Sequence, residues 1–258
     1  MSRIKPEIIE LLQIKAEQYN RPDFIENDPI CIPHLFQKKE DVEIAGFIAA
    51  ILAWGQRKTI LINARKFMEN MDFAPSDFIR NHTAKERKRW KGFAHRTFNE
   101  TDCSFFLENL QRIYKKHGGI EQVFHQGMKS NDNKIPNAIH YFRGVFLHQQ
   151  TEHRSKKHIS DPISNSSAKR ICMYLRWMVR KDNKGCDFGI WKSISPASLY
   201  LPLDVHTGNI GRKLGLLKRK QNDWKAVEEV TESLKKIDPV DPIRFDYALL
   251  GMGVHKDF

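Results

Sequence analysis

Residues 201–215 read LPLDVHTGNIGRKLG, and this stretch combines a helix-start signal with two closely spaced glycines. Asp204 stands where an N-cap residue is expected, because its carboxylate can accept N–H groups from the first turn of a following helix. Gly208 and Gly211 are spaced so that another backbone segment can come close to the helix. The stretch predicts a capped helix from Val205 to Leu214 and, taken alone, is also typical of an ordinary helix with no catalytic role.

The same helical spacing of apolar residues recurs along most of the chain. The run 43–54 is apolar almost all round, which predicts a buried central helix. No run of alternating β-branched residues occurs, so the predicted fold class is all-α. Residues 84–101 are basic and irregular. Residues 149–167 are polar and basic, and this second segment is predicted to be a mobile loop. Helices are expected at 4–19, 41–54, 58–71, 103–117, 120–129, 136–148, 168–181, 205–214, 223–236 and 241–251.

The charge of the chain points to a polyanionic partner. Its 258 residues include 43 Lys and Arg against 31 Asp and Glu, a formal charge of +12. Such a surplus favours nucleic acid, because neutralising phosphates releases counterions, although a generally basic surface is the simpler alternative. There is no apolar run long enough to span a membrane, and Met1–Lys5 lacks the apolar core of a signal peptide. The expected location is therefore the cytoplasm.

The cysteines and histidines do not predict a metal or cofactor. No pair of cysteines forms a CxxC motif, which argues against a zinc site, a disulfide framework and an iron–sulfur cluster. His148, His153 and His158 recur every five residues, whereas helical metal ligands are spaced by three or four. The wide cysteine spacing is seen at Cys31, Cys103, Cys172 and Cys186.

The 201–215 stretch resembles the apolar-Pro/Val-Asp-x-His segment of the helix-hairpin-helix DNA glycosylases, the superfamily of endonuclease III and 8-oxoguanine DNA glycosylase. The resemblance covers about residues 40–255 and indicates a bacterial branch of that superfamily. It implies that Asp204 caps a helix at the active site and helps to detach a damaged base. It also implies two helical lobes that flank a cleft, formed by residues 28–185 and by residues 1–27 with 186–258.

The catalytic lysine of that superfamily lies at the start of a helix upstream of the aspartate. Residues 166–177 read SSAKRICMYLRW, and their Tyr174-Leu175-Arg176 register is similar to that of the minimal bacterial and archaeal 8-oxoguanine glycosylases. The resemblance therefore implies that Lys169 is the catalytic lysine. At about 100° per residue, one helix face carries Lys169, Met173, Arg176 and Arg180. That face suits a lysine turned towards a cleft and equally suits a solvated basic stripe.

A third match covers residues 48–66, which resemble the buried helix, tight turn and second helix of the superfamily. A polar residue at that turn probes the DNA duplex, and the matching residue is Gln56, with Arg57 and Lys58 beside it. A plain turn residue is the alternative interpretation of Gln56. Further DNA contacts are expected from residues around the candidate pair, namely Ser166, Ser167, Arg170, Arg176 and His206.

The chain departs from the superfamily in two places. The hairpin before the lysine is usually Gly-x-Gly, whereas residues 165–168 read NSSA, so phosphate binding would fall to serine hydroxyls and helix N-terminal amides. The stretch between Lys169 and Asp204 is longer than in endonuclease III, which predicts an insertion over 181–200 near the site. Trp177, Trp191 and Tyr200 are candidates for stacking on an extruded base, with a place in the core as the more common alternative.

The resulting hypothesis is an N-glycosyl hydrolase of base-excision repair that acts as a monomer on double-stranded DNA without metal or cofactor. Lys169, made neutral by desolvation or by cations such as Arg170, would attack the sugar C1′ and form a Schiff base. Asp204 would stay ionised and stabilise the developing positive charge, and β-elimination would give lyase activity. The 8-oxoguanine base is one candidate substrate. The alternatives are a non-catalytic helical nucleic-acid-binding protein and an enzyme acting on RNA or a free nucleoside.

Overall fold

The computed structural model of the chain describes residues 4–130, 134–148 and 154–255. Over these ranges the backbone is mostly helical, as the all-α class predicted. A hairpin of two-residue strands, β1 (Ala94–His95) and β2 (Phe98–Asn99), pairs in antiparallel fashion. The helices are α1 (Pro6–Tyr19), α2 (Lys39–Leu52), α3 (Arg57–Glu69), α4 (Pro75–Asn81), α5 (Glu100–Lys116), α6 (Ile120–Ser130), α7 (Ile135–Leu147), α8 (Lys169–Val179), α9 (Val205–Lys213), α10 (Trp224–Lys235) and α11 (Asp246–His255).

The chain divides into two compact units. The middle unit is Ile25–Ser160, and the terminal unit joins Met1–Phe24 to Asp161–Phe258. The upper boundary differs from the expected one at residue 185, because α8 belongs to the terminal unit. There the Tyr174 ring packs edge-on against Trp191 at 5.4 Å, within a core that buries both rings. Lys169 therefore lies in the same unit as Asp204.

The core of the middle unit forms around α2, as the apolar run predicted. Every residue from Val42 to Leu52 is buried, and Phe47 contacts the rings of Phe106, Phe142 and Phe146. The one acid in this run, Glu43, accepts N–H groups at the start of α6 and the hydroxyl of Tyr114, which explains how a carboxylate can be buried there.

Two segments of the middle unit are more regular than expected. Residues 86–90 form a short 3-10 helix that leads into the β1–β2 hairpin. Residues 154–158 form another 3-10 helix, in which Ser155 and His158 are buried and the Ser155 hydroxyl donates to Asp102 at 2.6 Å. The mobile-loop prediction is therefore wrong for 154–158, and its part at 149–153 lies outside the described residues.

In the terminal unit, α1 packs against α11, so the two ends of the described chain come together. The Tyr19 ring stacks on His255 with a centroid distance of 5.2 Å. A β-carbon at Gly251 would lie 2.2 Å from the Tyr19 ring, so this contact requires glycine. The apolar face of α1 is buried at Leu12 and Ala16.

Arg176 of α8 is buried and ionically paired. Its side chain donates to Asp246 and, at 3.3 Å, to Asp187, and its guanidinium stacks on the Tyr247 ring at 4.3 Å. With 4% of its surface exposed, Arg176 cannot reach a DNA phosphate. The prediction that it binds DNA is therefore wrong, because helical periodicity does not distinguish a solvated cation from one paired inside the core.

The segment 181–200 packs along the C-terminal half of α8. Backbone N–H groups of Phe188 and Trp191 donate to carbonyls near the end of that helix. Arg180, also buried, pairs with Asp187 at 3.0 Å and with Asp241 at 2.9 Å. The inserted residues thus complete the core at the end of α8 opposite Lys169.

None of the helices in the described ranges is both long and apolar enough to cross a bilayer. Within the same ranges, no three His, Cys, Asp or Glu side chains are placed so that they could hold a metal ion. The cysteines are free thiols, of which Cys103, Cys172 and Cys186 are buried. Burial raises the pKa of each of these three thiols.

Candidate active site

Lys169 and Asp204, far apart in sequence, meet in the terminal unit. The Nζ atom of Lys169 lies 2.9 Å from Oδ2 of Asp204. Lys169 is the first residue of α8, and Asp204 is the N-cap of α9. Their side chains are 35% and 18% exposed, so the pair is partly shielded and still reachable from solvent. The ion pair requires the starts of α8 and α9 to lie side by side.

The two oxygens of Asp204 have different partners. Oδ1 accepts the backbone N–H of Thr207 at 2.9 Å, and the Thr207 hydroxyl accepts the N–H of Asp204 at 2.8 Å, which forms a capping box. Oδ2 faces Lys169. Burial opposes ionisation, but the Lys169 ammonium and the Thr207 hydrogen bonds outweigh it and hold the pKa of Asp204 below its ordinary value. Asp204 is therefore a carboxylate at neutral pH.

The loop before Lys169 contains no glycine but adopts left-handed backbone at two residues. Asn165 has a φ of 61° and Ala168 a φ of 46°. Such values are uncommon outside glycine and concentrate at functional sites. Within the described residues, the backbone N–H groups of Ser167 and Lys169 have no acceptor. The start of α8 thus presents free donors of the kind that bind an anion.

Residues 222–224, here called the 222–224 clamp, tie the two halves of the site together. The Asn222 amide donates to the Asp204 carbonyl at 3.0 Å. The Trp224 N–H donates to the Asn165 carbonyl at 3.3 Å, and the Asn165 amide donates to Asp223 at 3.1 Å. One short segment at the start of α10 therefore holds both the loop before Lys169 and the cap at Asp204.

Gly208 makes room for the 222–224 clamp. A β-carbon there would lie 2.8 Å from the Asn222 side-chain oxygen, whereas one at Gly211 would meet only Leu217 and Val230 at 3.6 and 3.7 Å. The predicted approach of another backbone segment is wrong at Gly208, because the group that comes close is the Asn222 side chain. Gly211 has no such close neighbour.

These two glycines give a matched pair of substitutions. We expect Gly211→Ala to raise the free energy of unfolding by up to about 1 kcal/mol, the usual gain inside a helix. Gly208→Ala should instead lower it by about 1 kcal/mol, because the Asn222 amide must leave the Asp204 carbonyl. Urea denaturation of both variants measures the difference. Equal effects would show that Asn222 is not held at Asp204.

The remaining predicted contacts of the terminal unit differ in accessibility. Ser166 and Ser167 are half-buried, and the Ser166 hydroxyl accepts the N–H of Ala168 at 3.3 Å. His206 is exposed on the first turn of α9. Arg170 is partly buried, and desolvation lowers the pKa of its guanidinium to about 10.

In the middle unit, the predicted turn between buried α2 and α3 is present. Gln56 is the N-cap residue of α3, and its side chain makes no capping hydrogen bond. Gln56, Arg57 and Lys58 are all exposed. Their proposed contact with DNA stays a prediction.

The aromatic residues considered for base stacking lie mainly in the core. Trp177 and Trp191 are 0% and 1% exposed, so they cannot stack on an extruded base. Tyr200 is half-buried, with its ring 5.0 Å from that of Trp224 and 5.2 Å from the Lys235 ammonium. Packing therefore accounts for all three side chains.

A concavity of about 490 Å³ lies between α9 and α11. It does not include Lys169 or Asp204, but α9 begins immediately after Asp204. Several of its lining residues are basic or polar, so its chemistry suits an anion. The lining residues are His206, Asn209, Ile210, Arg212, Lys213, Met252 and Gly253.

Comparison with known proteins places the chain in a family. Residues 28–255 match the family model of DUF2400, a family of proteins of unknown function. The chain belongs to the DUF2400 family. Searches of curated proteins and of solved structures gave no match. The DUF2400 match includes Lys169, Asp204 and the 222–224 clamp.

The 222–224 clamp of this DUF2400 protein was missed from the sequence. Asp223 is recognisable as an N-cap residue, and its side chain accepts the N–H of Ala226 at 3.2 Å. Its second role, holding Asn165, depends on a contact between distant segments. Arg219 orients Asp223 through two hydrogen bonds, a pairing that the four-residue spacing favours but does not connect to the site.

Proposed function

We propose that this protein is a base-excision DNA glycosylase with β-lyase activity, which uses Lys169 as nucleophile and Asp204 as electrostatic stabiliser. The observation that carries the proposal is the 2.9 Å contact between Lys169 Nζ and Asp204 Oδ2. A lysine at a helix start, an ionised aspartate at a second helix start and free N–H groups beside them suit attack on a sugar that is flanked by phosphates.

Binding would begin with the DNA backbone. The free amides at the start of α8 and exposed His206 provide donors for phosphate oxygens. Gln56, Arg57 and Lys58 would contact the duplex from the middle unit. A damaged base would leave the stack so that its sugar can reach Lys169.

The chemistry follows from the charges of the pair. Lys169 must lose a proton before it attacks, and its partly exposed ammonium can release that proton to solvent, which leaves Asp204 ionised. The amine then forms a bond to C1′ as the bond from C1′ to the base breaks, and the departing base takes a proton from solvent. Opening of the sugar ring gives a Schiff base, and β-elimination releases the 3′ phosphate. Ionised Asp204 stabilises the positive charge that develops on the sugar.

Borohydride trapping tests the proposal. Purified protein is incubated with duplexes that hold an abasic site or 8-oxoguanine, in the presence of borohydride, which reduces a Schiff base to a stable adduct. We expect an adduct with the unaltered protein and none with Lys169→Gln. Lys225→Gln is the matched control, because Lys225 is exposed on α10 and should trap normally.

The other outcomes discriminate between the candidate functions. An adduct that persists in Lys169→Gln would assign another nucleophile. Tight, salt-sensitive duplex binding without an adduct or base release would favour the non-catalytic nucleic-acid-binding protein. Activity on a free nucleoside or on RNA without a DNA duplex would favour the third alternative.

A further inference from the structure

Three lysines of the middle unit lie on one edge of the 3-10 helix at residues 86–90. Lys85 is its N-cap residue and Lys91 its C-cap residue, with Lys88 between them. The N–H of Lys88 donates to the Lys85 carbonyl at 3.2 Å, and the N–H of Lys91 donates to the Lys88 carbonyl at 3.0 Å. Residues linked in this way eclipse one another, because a 3-10 helix has 3.0 residues per turn. We call Lys85, Lys88 and Lys91 the lysine edge.

The acids near the lysine edge have other partners. Arg87 pairs with Glu108, and Arg89 pairs with Asp72 at 2.6 Å. Glu86 accepts the N–H of Thr83 at 2.8 Å. Among the described residues, no ion pair involves any of the three lysines, and all three side chains are exposed. The arginines of this segment are therefore structural, whereas the lysine charges are uncompensated.

The lysine edge is held firmly in place. Trp90, inside the same short helix, is 1% exposed and packs against Phe67 and Phe78. Arg89 also donates to the Asn70 carbonyl at 3.0 Å, and Arg87 donates to the Ser104 hydroxyl at 3.2 Å. A fixed backbone keeps the three charges in a row, unlike the same charges on a flexible tail.

We propose that the lysine edge binds successive phosphates along one strand of a nucleic acid. A 3-10 helix rises about 2.0 Å per residue, so the lysines follow one another at about 6 Å. Successive phosphates of one DNA strand rise about 3.4 Å along the helix axis and also rotate about it, so they lie about 6–7 Å apart in space, close to the spacing of the lysines. The proposal rests on the proposed function only in taking DNA as the polyanion. It adds a backbone-binding surface separate from the Lys169–Asp204 pair.

The salt dependence of binding tests the proposal. The triple variant Lys85→Gln, Lys88→Gln, Lys91→Gln is compared with unaltered protein on an undamaged labelled duplex, by fluorescence anisotropy between 50 and 200 mM salt. The plot of log K against log salt has a negative slope, and each lost phosphate contact should make it less steep by about 0.9. The slope of the triple variant should therefore be less steep than that of the unaltered protein by about 2.7. Over this fourfold salt range, the unaltered protein should lose about 40-fold more affinity than the variant.

A second triple variant with the same charge change is the control. Lys115→Gln, Lys116→Gln, Lys129→Gln alters exposed lysines at the ends of α5 and α6 and should leave the slope unchanged. Equal reductions in both triple variants would overturn the proposal, because only the net charge would then matter. An unchanged slope in the lysine-edge variant would also overturn it.

Borohydride trapping of the same variants at low salt separates the two proposals. A normal adduct from the lysine-edge variant, together with its reduced slope, supports both. A normal adduct with an unchanged slope would contradict phosphate binding by the lysine edge and would leave the proposed glycosylase activity standing. A reduced slope in the variant, with no adduct from any protein, keeps the lysine edge and removes the Schiff-base chemistry.

Discussion

Asp204→Asn should slow base release by about 100-fold or more while preserving the fold. Asparagine is as good an N-cap residue as aspartate, and its side-chain oxygen can still accept the Thr207 N–H. What the variant loses is the negative charge that faces Lys169 and, in the proposed reaction, the sugar cation. Single-turnover excision from duplexes with a damaged base measures the rate. Urea denaturation should show a loss of less than about 1 kcal/mol.

Asp28→Asn is the matched control for this substitution. Asp28 is the N-cap residue of a 3-10 helix in the middle unit, where its side chain accepts the N–H of Ile30 at 3.1 Å. The same change of aspartate to asparagine should leave excision unaffected there. If Asp204→Asn excised bases at the normal rate, Asp204 would be a helix cap and no more.

Arg176→Met should lower the free energy of unfolding by about 3–5 kcal/mol. Methionine keeps much of the side-chain volume but leaves buried Asp246 without its cationic partner and leaves Asp187 with Arg180 alone. Arg21→Met is the control in the same unit, because Arg21 pairs with Asp23 at 3.2 Å on the exposed surface and should contribute less than about 1 kcal/mol. A comparably small loss in Arg176→Met would contradict the buried cluster.

The loss of unfolding free energy in Arg176→Met should depend on pH, because Asp246 can take up a proton. Burial raises the pKa of Asp246 to about 6, and Arg176 opposes that rise. An unfolded aspartate has a pKa of about 3.9, so this group favours the folded state below about pH 4, and that contribution is lost as pH rises through 6. Without Arg176 the folded-state pKa rises further. The loss measured for Arg176→Met should therefore be smaller at pH 5 than at pH 8.

Local signals predicted much of the site from sequence. Asp204 was recognisable as an N-cap because a carboxylate stands directly before a helical pattern, and the capping box with Thr207 is present. The almost wholly apolar run of α2 predicted burial directly. Lys169 was found through resemblance, and its contact with Asp204 agrees with the pairing that the resemblance implied.

The features that were missed depend on contacts between distant segments. The face of α8 that carries Arg176 looked solvated, because its partners Asp187 and Asp246 lie in other parts of the sequence. The 222–224 clamp was missed for the same reason, because it contacts residues that are distant in the sequence. The short α4 and the β1–β2 hairpin were missed for another reason, since seven residues and two-residue strands are too short to establish a period.

The packing of α1 against α11 has a consequence for how the protein is made. The ribosome releases α1 early, and about 230 residues must follow before α11 is complete, which takes about 10 to 50 s at 5–20 residues per second. All of the middle unit emerges in that interval and can fold during translation, while Leu12 and Ala16 of α1 still lack their final partners. The terminal unit, with its Lys169–Asp204 pair, is therefore expected to close only after α11 has left the ribosome. We expect chains stalled before α11 to carry a folded middle unit and an unprotected first helix.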